Sequence, residues 1–352
     1  MDGLHAVKAA RLYQPKDLRV EVVEEPEISP DEILLRVRSV TICATDVRIF
    51  TFGDRRVQYP RILGHEIAGD VEAVGSELRG LVEKETRVTV NPTISCGRCK
   101  FCSDGRQELC EEILTIGIDL DGGLAQRVKI PGVVVRQQGL YAIPDDITYD
   151  EAALTEPLSC CIHGQIMARI IAGETVLVFG AGPIGLMHAM LAKHMGSRRV
   201  IAAETDPHRL RQAAEFACDL LLNPSDPDFR AGLAEATGGE GADLVIVATG
   251  SATAQREAIL SARKGGTIVL FAGLPSGQHE VALDTNLIHY RELSVLGSYS
   301  TTPEEMRRAL RLIQTHSMQL NRLVTHRFPL EKAPEAFEVA SSMAGLKVAV
   351  HP

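Results

Sequence analysis

From about Gly173 onward, short apolar segments alternate with helical patterns. "TVLVFG" leads into "PIGLMHAMLAKHM", "RRVIAAE" into "PHRLRQAAEFA", and "DLVIVATG" into "TAQREAILSARK", after which comes "GTIVLFAG". Strands that are apolar along their whole length must be covered on both faces. The helices between them supply the crossovers that parallel strands require. This part of the chain is therefore expected to be α/β, with a doubly wound parallel sheet. The first third reads differently: "LRVEVVE", "EILLRVRSV", "DVEAVG", "TRVTV" and "LAQRVKI" are short β-rich segments separated by Gly- and Pro-containing turns. The last sixty or so residues mix both textures, and periodicity does not say which part they pack on.

A chain of 352 residues is long enough for two such domains. Its net charge of -9 excludes the basic stripe that a nucleic-acid surface needs. No apolar run approaches the roughly 18–20 residues of a membrane span, so no membrane partner is expected. The opening "MDGLHAVKAARLY" lacks the charged-then-apolar pattern of a secretory signal. The expectation is a soluble cytoplasmic protein, in which clustered cysteines are metal ligands or catalytic groups rather than disulfides.

"VLVFGAGPIGL" places Gly180, Gly182 and Gly185 in a G-x-G-x-x-G pattern between an apolar strand and a helix. The first glycine permits the tight turn and the second lets the backbone approach a pyrophosphate. The third permits close helix–strand packing, with the phosphate charge at the helix N-terminus. An acidic residue is expected about 20 residues on to bind the adenosine ribose, and Glu204 in "RRVIAAETD" stands there. Its carboxylate would repel a 2′-phosphate, so NAD is expected in preference to NADP. His208 and Arg209 lie close by and work against that preference.

Cys96, Cys99, Cys102 and Cys110 are spaced C-x2-C-x2-C-x7-C. Four thiolates so close together suit a closed tetrahedral zinc site. The bacterial ferredoxin run has a shorter last interval followed by Pro, whereas Glu111 follows here. A closed site leaves no position for a substrate, so its role is structural. Cys43 in "TICATDV" and His65-Glu66 in "ILGHEIAGDVEAVG" are separately competent zinc ligands. Taken one at a time, each reads equally as a core residue.

In combination these segments resemble one family. "GHEIAGDVEAVG" matches the G-H-E-x-x-G-x-V-x-x-V-G signature of zinc-containing medium-chain alcohol dehydrogenases. "CATD" is similar to their catalytic-zinc segment, the four-cysteine lobe to their structural zinc, and "GAGPIG" to their cofactor loop. The four occur in the family order, and the resemblance runs along essentially the whole chain. It implies a GroES-like β-rich catalytic domain from residues 1–156 and 291–352, with the zinc lobe at about 92–112. A Rossmann domain is implied over 157–290.

The resemblance further implies two zinc ions per chain. Cys43 and His65 hold the catalytic one, and Glu66 and Glu156 of "LTEPLSCCIHG" complete its sphere directly or through water, as in the polyol and threonine dehydrogenase branch. Cys160 and Cys161 are the alternative, since classical members use a third Cys in that region. Thr45 resembles the hydroxyl that relays the alcohol proton, and Asp46 would orient His65. Further cofactor contacts are expected at Pro183, Ile184, Arg209, Thr249, Gly273 and Ser298. The implied reaction is reversible oxidation of a polar secondary alcohol (a polyol, sugar alcohol or cyclitol) to a ketone. Threonine oxidation is the alternative, and a non-catalytic dinucleotide-binding relative a more distant one.

Two departures bear on substrate. Arg48 stands where many relatives have a relay His, and Arg cannot shuttle a proton. Ser300 stands where polyol dehydrogenases often place an Arg. "RELSVLGSY" is a candidate edge strand for pairing subunits, and a homotetramer is expected, with a dimer as the alternative.

Overall fold

The computed structural model describes residues 6–275 and 277–352. Two compact units divide the chain: Met1–Ser159 with Thr301–Pro352, and Cys160–Ser300.

In the first unit, the strand Glu32–Thr41 is the organising element. It pairs antiparallel with Glu66–Val74 and Arg127–Pro131, and its far end pairs with the C-terminal strand Lys347–His351. That strand in turn runs parallel to Val324–Pro329. The last residues of the chain thus lie inside the main sheet of the first unit, where Val348 and Val350 join a core with Leu35, Ile67 and Phe337. This is where the closing "LKVAVHP" packs, a question its periodicity left open.

Asp150 ties the tail in place, accepting from Ser39 Oγ (2.7 Å), Arg327 Nε (2.7 Å) and His351 Nε2 (2.8 Å). Burial raises its carboxyl pKa, but the hydrogen bonds from His351, Ser39 and Arg327 outweigh burial and hold it at about 2.

The second unit is a six-stranded parallel sheet. Its strands are β1 (Thr175–Phe179), β2 (Arg199–Ala203), β3 (Leu220–Leu222), β4 (Ala242–Val247), β5 (Ala262–Leu270) and β6 (Ser294–Gly297). Their spatial order is 3-2-1-4-5-6. Every residue of β1 is buried, as a strand covered on both faces requires. The order reverses between β1 and β4, and the glycine loop leaves β1 at that switch point, where such sheets bind their ligands. β6 pairs with β5 from Thr267↔Ser294 to Leu270↔Gly297. Residues 291–300 therefore run with this unit, so the division falls later than the expected boundary at 290/291.

Candidate active site and metal centres

Cys43 ends the turn after Glu32–Thr41 and begins the helix Ala44–Phe52. Its backbone N–H donates to Asp46 Oδ2 at 2.9 Å, three residues into that helix. The other oxygen of Asp46 accepts from Gly64 N and lies 3.2 Å from His65 Nδ1, close enough for charge pairing though short of hydrogen-bond geometry. One fully buried carboxylate therefore links the segments that carry Cys43 and His65. Among the described residues, the ligand atoms of Cys43, His65 and Glu66 all lie within 4.8 Å of one another.

The donor set is one thiol, one imidazole and one carboxylate. Burial works against a charged His65, yet the Asp46 and Cys43 charges outweigh it and hold the ring well above the ordinary imidazole range. A pocket that favours a proton on that ring favours a metal cation in its place. One sulfur, one nitrogen and one oxygen donor, one short of a tetrahedral set, fit catalytic zinc.

Glu66 has a partner that no sequence motif indicates. It lies opposite Thr41 in the antiparallel register, and Thr41 Oγ1 donates to Oε2. Lys347, two residues before the partner of Thr41 on the next strand, donates from Nζ to both Glu66 oxygens at 2.5 Å. The lysine is 3% exposed and Glu66 0%. Burial disfavours the ammonium, but the Glu66 and Cys43 charges raise its pKa above the usual value, so Lys347 keeps its proton. No local signal pointed to Lys347, because it is brought to Glu66 only by strand pairing across 281 residues.

Glu156 is buried in the first turn of the helix Thr155–Met167. Its carboxylate is outside the 4.8 Å group, though its charge acts on Lys347. Thr45 is half-buried one residue into the Ala44–Phe52 helix. Cys160 and Cys161 belong to no metal-competent group among the described residues, and Cys161 Sγ turns to the Ile184 carbonyl.

The four-cysteine lobe is a second such group. Cys96–Cys102 and Cys99–Cys102 sulfurs are 4.0 and 3.5 Å apart. Those separations match the edge of about 3.8 Å of a tetrahedron with 2.3 Å zinc–sulfur bonds, and exceed any disulfide. Backbone amides point at the sulfurs: Cys96 N to Cys110 Sγ at 3.1 Å, Cys99 N to Cys96 Sγ at 3.4 Å. Amides of Cys102 and Glu111 pull the Cys99 thiol down to about 6, the direction a metal-binding thiolate needs. All four positions are filled by protein. Cys99→Ser is expected to lower the melting temperature or disturb assembly before it slows the chemical step. A stable, correctly assembled but inactive variant would contradict a structural role.

In the second unit, Gly180 has φ +97°. A Cβ on Gly185 would stand 1.8 Å from the Gly180 carbonyl, so the first turn of the helix Pro183–His194 can pack there only without a side chain. Gly182 caps that helix, with the Arg209 guanidinium nearby. Pro183 and Ile184 form its first turn. Thr249 follows β4 beside Gly180, Gly273 follows β5, and Ser298 follows β6 with its buried Oγ unpaired. These expected cofactor residues thus gather at the carboxyl ends of the strands. Glu204 is turned inward, accepting from Ala181 N (2.9 Å), Thr205 N (2.7 Å) and Asp206 N (2.9 Å). It braces the glycine loop through the Ala181 amide.

The chain matches two family models. One is the alcohol dehydrogenase GroES-like domain, over residues 29–145, and the other the zinc-binding dehydrogenase domain, over 183–315. The sorbitol dehydrogenase of Bacillus subtilis is 32% identical, with 98% of this chain and 97% of the relative covered. The L-galactonate-5-dehydrogenase of Escherichia coli is 36% identical, with 92% of each covered. A crystal structure from Sinorhizobium meliloti, described as a zinc-binding dehydrogenase bound to NADP, superposes with a TM-score of 0.91. It is 34% identical and 99% of both chains is covered. The protein belongs to the zinc-containing medium-chain alcohol dehydrogenase family, in its polyol and threonine dehydrogenase branch. It is an alcohol dehydrogenase that uses zinc and a nicotinamide dinucleotide.

Proposed function

We propose that the enzyme reversibly oxidises a polyhydroxylated secondary alcohol to the ketone, with Cys43, His65 and Glu66 as zinc ligands. Water or Glu156 completes the sphere. The observation that carries this reading is the convergence of those three ligand atoms, backed by a buried Asp46 that connects the Cys43 and His65 segments. The names of the sorbitol and galactonate dehydrogenases place polyhydroxy compounds among the substrates of its relatives. Bound zinc supplies a Lewis acid and bound NAD a hydride acceptor.

The residues of this chain do the rest. Asp46 holds the imidazole of His65 in orientation. Lys347 and Thr41 fix the carboxylate of Glu66. The Thr45 hydroxyl, next to the ligand Cys43, accepts the substrate hydroxyl proton and passes it on. Arg48 cannot take it further, so the outlet runs through water or the cofactor ribose. The test is zinc-loaded enzyme assayed for NAD reduction over polyols, cyclitols, sugar acids and threonine. A zinc-replete, NAD-binding protein inert throughout would refute the assignment.

NAD is the proposed cofactor, on the position of Glu204. Glu204→Ala is expected to lower the ratio of kcat/KM with NAD to that with NADP by at least about tenfold, since the ribose-binding carboxylate is lost. Because Glu204 also holds the Ala181 amide, both cofactors should bind somewhat more weakly. An unchanged ratio would discard the NAD assignment.

No helix among the described residues is long and apolar enough to cross a membrane. The free thiols support a reducing, cytoplasmic location. A homotetramer is proposed, with the unpaired outer edge of β6 as one pairing surface.

A further inference from the structure

His188 lies on the buried face of the helix Pro183–His194 and is 0% exposed. Its ring makes a T-shaped contact with Phe271, 4.5 Å between centroids. Burial holds the imidazole pKa down at about 3, so the ring is neutral. Gln165, on the helix Thr155–Met167, donates from Nε2 to the His188 carbonyl at 2.8 Å, which fixes the direction of its amide. The same Nε2 stands 3.4 Å from His188 Nδ1. Nδ1 is therefore the acceptor, and the ring proton sits on Nε2. That N–H is buried and has no partner among the described residues.

Ser298 has a second such atom. It directly follows β6, yet its Oγ is buried and without a partner. Hydroxyl and ring come together over the Cα of Gly164, which has no side chain to separate them. A Cβ there would stand 3.2 Å from Ser298 Oγ, 3.4 Å from His188 Cε1 and 3.2 Å from Phe271 Cδ2. Gln165 Oε1 is likewise buried without a partner. All five residues belong to the second unit. Buried polar groups are satisfied by protein or by held water, and a water needs at least two such partners.

The place of this cluster in the sheet bears on the cofactor. In the order 3-2-1-4-5-6, Glu204 follows β2 on one side of the switch point and Ser298 follows β6 on the other. A dinucleotide lies across such a sheet, so the β6 side receives the half opposite the adenosine. With its hydroxyl turned inward, Ser298 meets that half through its backbone. We propose that His188 is a positioning residue for the nicotinamide: its Nε2–H, through one bound water, holds the Ser298 hydroxyl and so fixes the chain that leaves β6. The proposal rests on the reading of Ser298 as a cofactor residue.

The test compares NADH, followed by its fluorescence, with ADP-ribose, which lacks the nicotinamide, in titrations of zinc-loaded enzyme. His188→Phe keeps a ring against Phe271 but loses the N–H. It should weaken NADH about fivefold, as loss of one hydrogen bond does, and leave ADP-ribose affinity and the melting temperature unchanged. A packing defect would instead lower the melting temperature and treat both ligands alike. His188→Gln keeps an N–H near the position of Nε2 and should recover part of the loss. Gly164→Ala sets a methyl against both groups and should weaken NADH as His188→Phe does. Ser298→Ala should match His188→Phe, and the double variant should lose no more than either single one. With NAD and the best alcohol of the substrate panel, His188→Phe should lower kcat about tenfold, since a misplaced nicotinamide accepts hydride slowly. Wild-type NADH affinity in His188→Phe beside a loss in Ser298→Ala, equal weakening of NADH and ADP-ribose, or additive losses in the double variant would overturn the proposal and leave Ser298 a cofactor residue. Wild-type NADH affinity in both single variants would remove the Ser298 reading as well.

Discussion

Replacing Cys43 with Ser should reduce turnover by at least about a thousandfold while leaving NAD binding close to wild type. The thiolate is the soft, negatively charged member of the ligand set. A serine hydroxyl is neutral at pH 7 and reaches less far, so the three-ligand site loses both charge and a donor. Metal analysis should give about two zinc ions per chain for the wild type and one for the variant, since the four-cysteine lobe is untouched. Cofactor affinity should survive because the glycine loop leaves β1 in the second compact unit, whereas Cys43 belongs to the first. Titration with NADH separates the two effects. Full activity, or two retained zinc ions, would show that the Cys43, His65 and Glu66 group is not the reactive centre.

The second large effect is expected at Lys347. Lys347→Met leaves the Glu66 carboxylate fully buried with Thr41 as its remaining hydrogen-bond donor. Breaking a buried ion pair from one side costs about 3–5 kcal/mol, because the surviving charge has neither water nor a counter-ion. The loss should be largest in chelator-treated protein and smaller when zinc is bound, since a divalent cation beside Glu66 replaces the missing positive charge. Denaturant unfolding with and without metal measures this difference. Adding Glu66→Gln to Lys347→Met in the metal-free protein should recover a substantial part of the lost stability. That recovery distinguishes charge compensation from a simple packing defect, in which the two substitutions would add. An equal loss with and without metal would mean that Lys347 supports the sheet and not the site.

These two residues differ sharply in how readily they could be found. Cys43 belongs to a short segment in which Thr45 and Asp46 follow within one helical turn, so contiguous residues carry the pattern. The same holds for Gly180, Gly182 and Gly185, whose three roles are played out in one strand–turn–helix. It holds again for the cysteine lobe, where C-x-x-C spacing directs backbone amides at the sulfurs. Lys347 has no such neighbourhood: it is one polar residue in a short apolar strand near the end of the chain, and "LKVAV" reads only as a closing strand.

The structure also changed the reading of residues already singled out. Glu204 is expected as a ribose-binding carboxylate; in the structure its oxygens accept from the amides of the glycine loop and of its own turn. Asp46, expected to orient His65, accepts from the Cys43 backbone N–H with one oxygen and stands 3.2 Å from His65 Nδ1 with the other.

Taken alone, the amino-acid sequence determined the class of fold, the family, the glycine loop, the four-thiolate lobe and three candidate ligands that converge, because short-range spacing and hydrophobic period set each of them. Tertiary structure alone decided how the C-terminal strand, which the family resemblance already assigned to the first domain, pairs within that unit's sheet, and that the chain stays with the second unit until Ser300. It also decided that Lys347 neutralises Glu66. Each of these depends on which distant strands and loops come to lie side by side. That choice is made by burial of the whole core and by strand register, and no local window of residues contains it.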